Sequence, residues 1–140
     1  VSACLKDLER RLAGRDVRIV RQIDRTAPPL IVKLEPLRQV IATLLAEAAA
    51  VTPDGGRIRV CLKHSSAAVM LSVKDGGPGM AAEARDALFR DASRAPAPGA
   101  PLPPARCLEV VRALDGNLFA NSLPGKGSTY YLTLPPPEPV

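Results

Sequence analysis

Apolar residues follow two different rhythms along this chain, one of three- and four-residue steps and one of alternation. Leu5, Leu8 and Leu12 recur at helical spacing within SACLKDLERRLAG, and Gly14 supplies a stop. Val17 to Ile23 (VRIVRQI) alternates weakly and predicts a strand with a basic outer face. Asp24 to Pro29 reads as a turn-rich link and Leu30 to Leu34 as a short strand. The strongest periodic segment runs from Leu37 to Val51, where Leu37, Val40, Ile41, Leu44, Leu45 and Ala48 form one apolar stripe. Pro36 suits the first turn of that helix, where a missing N–H costs nothing. The opposite side holds Arg38, Ala42, Ala46 and Ala49, which predicts burial on more than one side.

The second half is punctuated by turns. Thr52-Pro53-Asp54-Gly55-Gly56 ends the helix, and two strands follow, Arg57 to Lys63 and Ala68 to Lys74, joined by HSSA as an antiparallel pair. Asp75-Gly76-Gly77-Pro78-Gly79 stops the second strand abruptly. Met80 to Arg94 is Ala-rich and predicts one short helix, and APAPGAPLPP after it must be a loop. Its prolines at 96, 98, 101, 103 and 104 each remove a donor and constrain the preceding residue. Arg106 to Leu114 regains helical spacing, and Asn117 to Ser122 and Ser128 to Leu134 form a last strand pair. PPPEPV is a tail.

This order predicts an α/β fold: a two-layer sandwich whose mixed, mostly antiparallel sheet is covered on one face by helices. The expected organisation is one domain over residues 1–134, with a lid-like loop at 80–104 and a proline-rich tail at 135–140.

Composition narrows the function classes only a little. The chain has 140 residues, 46% of them hydrophobic, enough to build one core. No stretch approaches the roughly 18 apolar residues of a membrane-spanning helix, so direct membrane insertion is not expected. A net charge of +5 permits an acidic partner. The few aromatic residues do not alternate with basic ones as nucleic-acid stacking platforms would, so no nucleic acid is expected. Cys4, Cys61 and Cys107 are odd in number and far apart, which suits a reducing, cytoplasmic setting. With His64 alone, a zinc site lacks ligands.

Three features carry candidate chemistry: Glu47 on the buried helix, the Asp75–Gly79 turn and the Gly-Lys-Gly-Ser-Thr turn at 125–129. Glycine-rich turns can bring backbone N–H groups close to an anion, and Asp75 can accept a hydrogen bond from an amino group such as that of adenine. Both turns can equally be simple strand connections. Neither has the glycine spacing of a phosphate-binding P-loop, and no strand-borne G-x-G-x-x-G is present.

Taken in order, these segments resemble the catalytic and ATP-binding domain of sensor histidine kinases, within the superfamily that includes gyrase, Hsp90 and MutL. LRQVIATLLAEAAAVTPDGGRIRV resembles the N-box helix, turn and next strand, and LSVKDGGPGM the first glycine box. Leu88-Phe89-Arg90 stands at the phenylalanine box, and LPGKGSTYYLTLP resembles the last glycine box. The resemblance runs from about Lys6 to Leu134 and implies a Bergerat ATP-binding fold with ATP and Mg²⁺ as ligands. It assigns Asp75 to the adenine amino group, Gly77 and Gly79 to the pocket floor, and Thr129 to the adenine-side water network.

The phosphate side departs from the pattern. The family's two asparagines, four apart, fall on Thr43 and Glu47, and a basic residue often found three positions later is Ala50. A carboxylate is a hard ligand suited to Mg²⁺, so Glu47 is the candidate metal ligand, although it also adds an anion beside the triphosphate. The second glycine box, G-x-G-L-G-L, falls on Gly99 to Pro104, where only Gly99 and Leu102 are kept. Pro101, Pro103 and Pro104 lack the donors that a phosphate-facing turn and helix start need. The resemblance therefore implies an ATP-binding domain of a two-component kinase with weakened or lost ATP binding and phosphotransfer. A pseudokinase docking or regulatory module, and an anti-sigma-like serine kinase or ATP-independent phosphotransferase relative, are the alternatives. Expected partners are a response regulator or partner kinase, with the phosphorylated histidine on dimerisation helices outside this chain.

Overall fold

In the computed structural model, which describes residues 2–12, 14–23, 35–65 and 68–135, both rhythms become the elements they predict. The helices are α1 (Ser2–Arg11), α2 (Glu35–Val51), α3 (Ala82–Ala87) and α4 (Pro104–Ala113). The strands are β1 (Arg18–Ile23), β2 (Arg57–His64), β3 (Val69–Lys74), β4 (Asn117–Ser122) and β5 (Ser128–Leu134). The expected link at 24–29, the strand at 30–34, the tip of the HSSA turn and the tail beyond Pro135 lie outside the described residues.

The strands form one sheet in the order β1-β2-β3-β5-β4. β1 runs parallel to β2, and the other neighbours are antiparallel. Strand alternation sorts the two faces. Ile58, Val60 and Leu62 of β2, Val69, Leu71 and Val73 of β3, and Tyr130, Leu132 and Leu134 of β5 are buried under the helices. Arg57, Arg59, Lys63, Lys74 and Phe119 stand exposed, the first four on β2 and β3 and the last on β4.

Helix α2 is the centre of the helical layer. All six residues of its predicted stripe are at most 1% exposed. Burying a single leucine or isoleucine contributes roughly 1.5–3 kcal/mol, so this stripe anchors the helix more than its propensity does. Ala46 is buried too, and Ala42 and Ala49 pack partly against the core, as expected for a helix covered on several sides. Its C-terminus is held by Arg15, whose guanidinium donates to the carbonyls of Ala49 (3.1 Å) and Thr52 (2.6 Å). A cation on the last carbonyls satisfies acceptors that a helix end leaves open.

Several boundaries differ from the sequence reading, among them two helix starts. Helix α2 begins two residues earlier, at Glu35. Helix α4 begins at Pro104 and not at Arg106, with extended Pro103 as its cap. Proline fits the first turn because its φ is already helical, so the last proline of the run starts a helix where the sequence suggested loop. Within the segment 80–104, Leu88 and Phe89 are buried, and Phe89 packs edge-on against Tyr130 at 6.5 Å.

Candidate functional site

Asp75 follows directly on β3 and is 3% exposed. Its Oδ1 accepts from the backbone N–H groups of Gly77 (2.9 Å) and Ser128 (3.1 Å), and its Oδ2 from the Tyr130 hydroxyl (3.3 Å). Burial, reinforced by the Asp75 charge, holds the Tyr130 phenol far above its ordinary range, so it stays a donor. A carboxylate has about four lone-pair sites, and three are engaged here, so Asp75 can accept one more donor.

Two glycine turns clasp each other around this carboxylate. Gly79 has φ +78°, and a Cβ there would lie 2.0 Å from the Leu123 carbonyl oxygen. Gly127 has φ +77°, and its Cβ would lie 3.0 Å from the Asp75 carbonyl oxygen. The Met80 N–H donates to Ser122 Oγ (2.6 Å), and Ser122 Oγ lies 2.8 Å from Ser128 Oγ. Gly77 packs against the end of α2, where a Cβ would come within 2.8 Å of the Val51 carbonyl oxygen. The Gly76 N–H donates to the buried Thr52 hydroxyl (3.0 Å), which itself bonds the Ala48 carbonyl (2.8 Å). The turn after β3 is thus tied to both α2 and the β4–β5 hairpin.

The other half of the site lies on α2. Thr43 and Glu47 are one helical turn apart and share a face. Both are buried, and both are bonded to the loop before α4. Glu47 Oε2 lies 3.2 Å from Arg94 Nη2, and its Oε1 accepts from the Ala97 N–H at 3.3 Å. Thr43 Oγ accepts from the Leu102 N–H at 3.2 Å and donates to the Gln39 carbonyl at 2.8 Å. A turn closed by Asp91 presents Arg94: the Ser93 hydroxyl (2.6 Å) and N–H (2.9 Å) donate to its carboxylate. The Ser93 hydroxyl is the main cause holding the Asp91 carboxyl below its usual range. Gly99, at φ +83°, lets the chain turn back, with the Ala100 N–H on the Ala97 carbonyl at 2.9 Å.

The start of α4 offers an anion little. Pro103 and Pro104 have no N–H, and the Arg106 and Cys107 amides both point to the Pro103 carbonyl, at 3.1 and 3.3 Å. Beneath this turn Cys107 is fully buried, and burial is the first cause that pushes its thiol up to about 11. The nearby Glu47 charge adds to that shift, and a hydrogen bond with Thr43 opposes it.

The structure therefore brings Asp75, Gly77 and Gly79 together, and separately gathers Thr43, Glu47, Gly99 and Leu102. Thr129 stands apart. It alternates with Tyr130, whose hydroxyl reaches Asp75, so Thr129 faces the opposite side of the sheet, opposite Lys74 and Asn121 in register. Its neighbour Ser128 is the residue whose backbone N–H meets the Asp75 carboxylate. A one-residue shift changes faces in a strand, and the alternation of STYYLTL is the signal available for it. Tyr130, Arg94 and the Ala97 amide also escape the sequence reading.

The family described as histidine kinase-, DNA gyrase B-, and HSP90-like ATPase matches residues 33–138. The chain belongs to that family. It is 32% identical over 136 residues to the adaptive-response sensory kinase SasA of Synechococcus sp. (strain JA-3-3Ab), covering 94% of this chain and 36% of that protein. SasA of Crocosphaera subtropica is 30% identical over 132 residues, 89% of this chain and 34% of its own. The chain thus spans little more than a third of the curated relatives it matches. Among solved structures, the mycobacterial sensor histidine kinase MprB superposes with a TM-score of 0.73 at 24% identity, covering 96% of this chain and 92% of its own. Full-length ShkA in complex with AMPPNP superposes with a TM-score of 0.73 at 21% identity, over 99% of this chain and 30% of its own. These structures share the fold, a Bergerat-type two-layer α/β sandwich.

Measured against the ATP and Mg²⁺ that this family implies, the two halves of the site differ. The Asp75 half fits an adenine amino group, since it offers a buried acceptor with capacity to spare. The α2 half fits a metal-bound triphosphate poorly. Glu47, the expected metal ligand, already has Arg94 as its counter-ion and Ala97 as a donor. Among the described residues, no group of three or more His, Cys, Asp or Glu is placed to hold a metal ion. No helix among them is long and apolar enough to cross a membrane.

Proposed function

We propose that this chain is the ATP-binding and catalytic domain of a two-component sensor histidine kinase in which Mg-ATP binding and phosphotransfer are weakened or lost. Residues 1–134 form the domain in this reading, with 80–104 as its lid-like segment and 135–140 as its tail. Asp75, Gly77 and Gly79, with Ser128 and Tyr130, take the adenine end. Thr43, Glu47, Gly99 and Leu102 stand where the phosphates belong. The observation that carries the reading is the Glu47 carboxylate bonded to Arg94 and Ala97. A nucleotide entering beside it meets an anion whose counter-ion is already in place, and a loop that must first leave α2.

Nucleotide binding itself is supported by the family and by the structural neighbour ShkA, which was solved in complex with AMPPNP. If the domain acts as a kinase, its contribution is orientation of the γ-phosphate, and the accepting histidine comes from dimerisation helices outside this chain. His64, the last residue of β2, is not that acceptor in this reading. A response regulator or partner kinase is the expected partner, and the setting is cytoplasmic. The proline-capped start of α4 favours one second reading: a pseudokinase whose lid serves as a docking surface.

Calorimetric titration with ATP and ADP, with and without Mg²⁺, tests the proposal. The expected result is weak binding of both nucleotides that Mg²⁺ changes by less than about threefold. Tightening by Mg²⁺ of about tenfold or more makes Glu47 a working metal ligand and overturns the weakened phosphate side. No heat up to millimolar nucleotide overturns ATP binding and leaves the docking reading.

A further inference from the structure

The outer face of the sheet carries a charge pattern that the nucleotide-site reading does not use. Arg57 and Arg59 are two residues apart on β2 and so point the same way. Lys74 of β3 lies directly opposite Arg59, and Arg18 of β1 lies opposite Arg57. Lys126 joins them from the turn between β4 and β5. Like charges placed directly across a sheet are destabilising, so this arrangement works against the fold that holds it. None of Arg57, Arg59, Lys74 and Lys126 makes an ion pair within the described residues.

These four side chains and the glycine turns at 76–77 and 125–127 line a cavity of about 410 Å³. Asp75 is the one acid among the described residues of its lining, and three of its roughly four acceptor sites are engaged by Gly77, Ser128 and Tyr130. The Gly76, Gly77 and Gly125 amides are also engaged, with Thr52, Asp75 and Pro78. Recognition in this cavity therefore falls to the four cationic side chains. Two guanidinium forks suit bidentate contact with phosphate oxygens, and two ammonium groups add charge without geometric demand. The volume lies in the range of small-ligand pockets, larger than a single phosphate needs.

We propose that this cavity binds a compact anion bearing two or more phosphate groups, held by the cations on the face of the sheet that carries Arg59 and Lys74. Bound there, the anion relieves the repulsion between Arg59 and Lys74 and braces the two glycine turns from outside.

The probe is inorganic tripolyphosphate, titrated calorimetrically into the domain at fixed ionic strength. One saturable event is expected, and the double variant Arg59→Ala/Lys74→Ala weakens it by about tenfold or more. Lys63→Ala removes a cation from the same strand outside the cavity and changes the affinity by less than about twofold. Thermal melting of the double variant checks its folding, and its midpoint is not expected to fall, because a like-charge pair is removed. Three outcomes overturn the proposal: no saturable binding to millimolar tripolyphosphate, equal weakening by Lys63→Ala, or undiminished binding to the double variant. Binding of an octaglutamate peptide in place of tripolyphosphate also overturns it, in favour of an acidic protein partner. The Arg59→Ala/Lys74→Ala readout separates this result from the reading of the ATP site: Asp75 and Gly77 belong to both, but Arg59 and Lys74 line this cavity and have no part in that reading.

Discussion

The Asp75 half and the Glu47 half of the candidate site are built on opposite principles. Around Asp75, position is set by backbone: glycine turns too tight for any side chain, and amides converging on one buried carboxylate. Around Glu47, position is set by side chains reaching a loop, and those side chains are the ones that differ from the family pattern. In the reading proposed above, the lesson is that backbone geometry keeps a subsite recognisable, whereas one made of side chains depends on each of them. Thr43 and Glu47 still stand one turn apart on α2, but they now hold down residues 94–102.

The sharpest way to separate the halves is stability. Asp75→Ala leaves a buried amide, a part-buried amide and a buried phenol without their acceptor and is expected to cost about 3 kcal/mol in urea denaturation. Arg94→Ala removes a partner that is 37% exposed, so about 1 kcal/mol is expected, together with faster amide exchange across 94–102. Equal costs would erase the distinction between the two halves.

Cys107 gives the α2 half a pH signature. Its thiol is raised from 9.0 to about 11 in the folded state, so between those values the native chain binds more protons than the unfolded one. The Cys107 contribution should thus be flat below pH 9 and fall by about 2 kcal/mol as pH climbs to 11, with Tyr130, also raised, adding its own loss above pH 10. Cys107→Ala should remove that part of the slope in urea titrations, and an unchanged slope would assign it elsewhere.

Restoring the family residues tests whether Thr43 and Glu47 account for the weakened phosphate side proposed above. Thr43→Asn/Glu47→Asn is expected to tighten Mg-ATP by about tenfold, worth 1.4 kcal/mol, measured by calorimetry against the parent chain. Unchanged affinity would shift the cause to the prolines at 101, 103 and 104. The smallest effect concerns the strand face. Ser128→Ala disturbs the buried Ser122 pair and should cost about 1 kcal/mol, while Thr129→Ala on the open face should stay within about 0.5 kcal/mol.

Much of this is legible in the residues alone because it rests on local rules. Helical steps mark α1, α2 and α4, alternation marks the strands, and the Asp-Gly-Gly-Pro-Gly and Gly-Lys-Gly-Ser-Thr turns mark the Asp75 subsite. What escapes is non-local. That Ser128 and not Thr129 meets Asp75 is not legible, because choosing between neighbours in a strand requires knowing which face is covered. Arg94 looks like one more charge in an Ala-rich stretch, since nothing in its surroundings announces a partner 47 residues away. Pro104 reads as loop because a proline at a helix start and a proline in a loop look alike until the helix is placed.

By itself, then, the sequence determined the elements, the two-layer architecture and the family, all of which follow from periodicity and from motifs carried on short stretches of backbone. The tertiary structure decided which groups meet: Tyr130 and Ser128 on Asp75, Arg94 and Ala97 on Glu47, and four cations around one cavity on the open face. The physical reason is distance along the chain. Propensity and turn chemistry act over a few residues, whereas the partner of a buried charge is chosen by packing and by the need to satisfy every group taken from water.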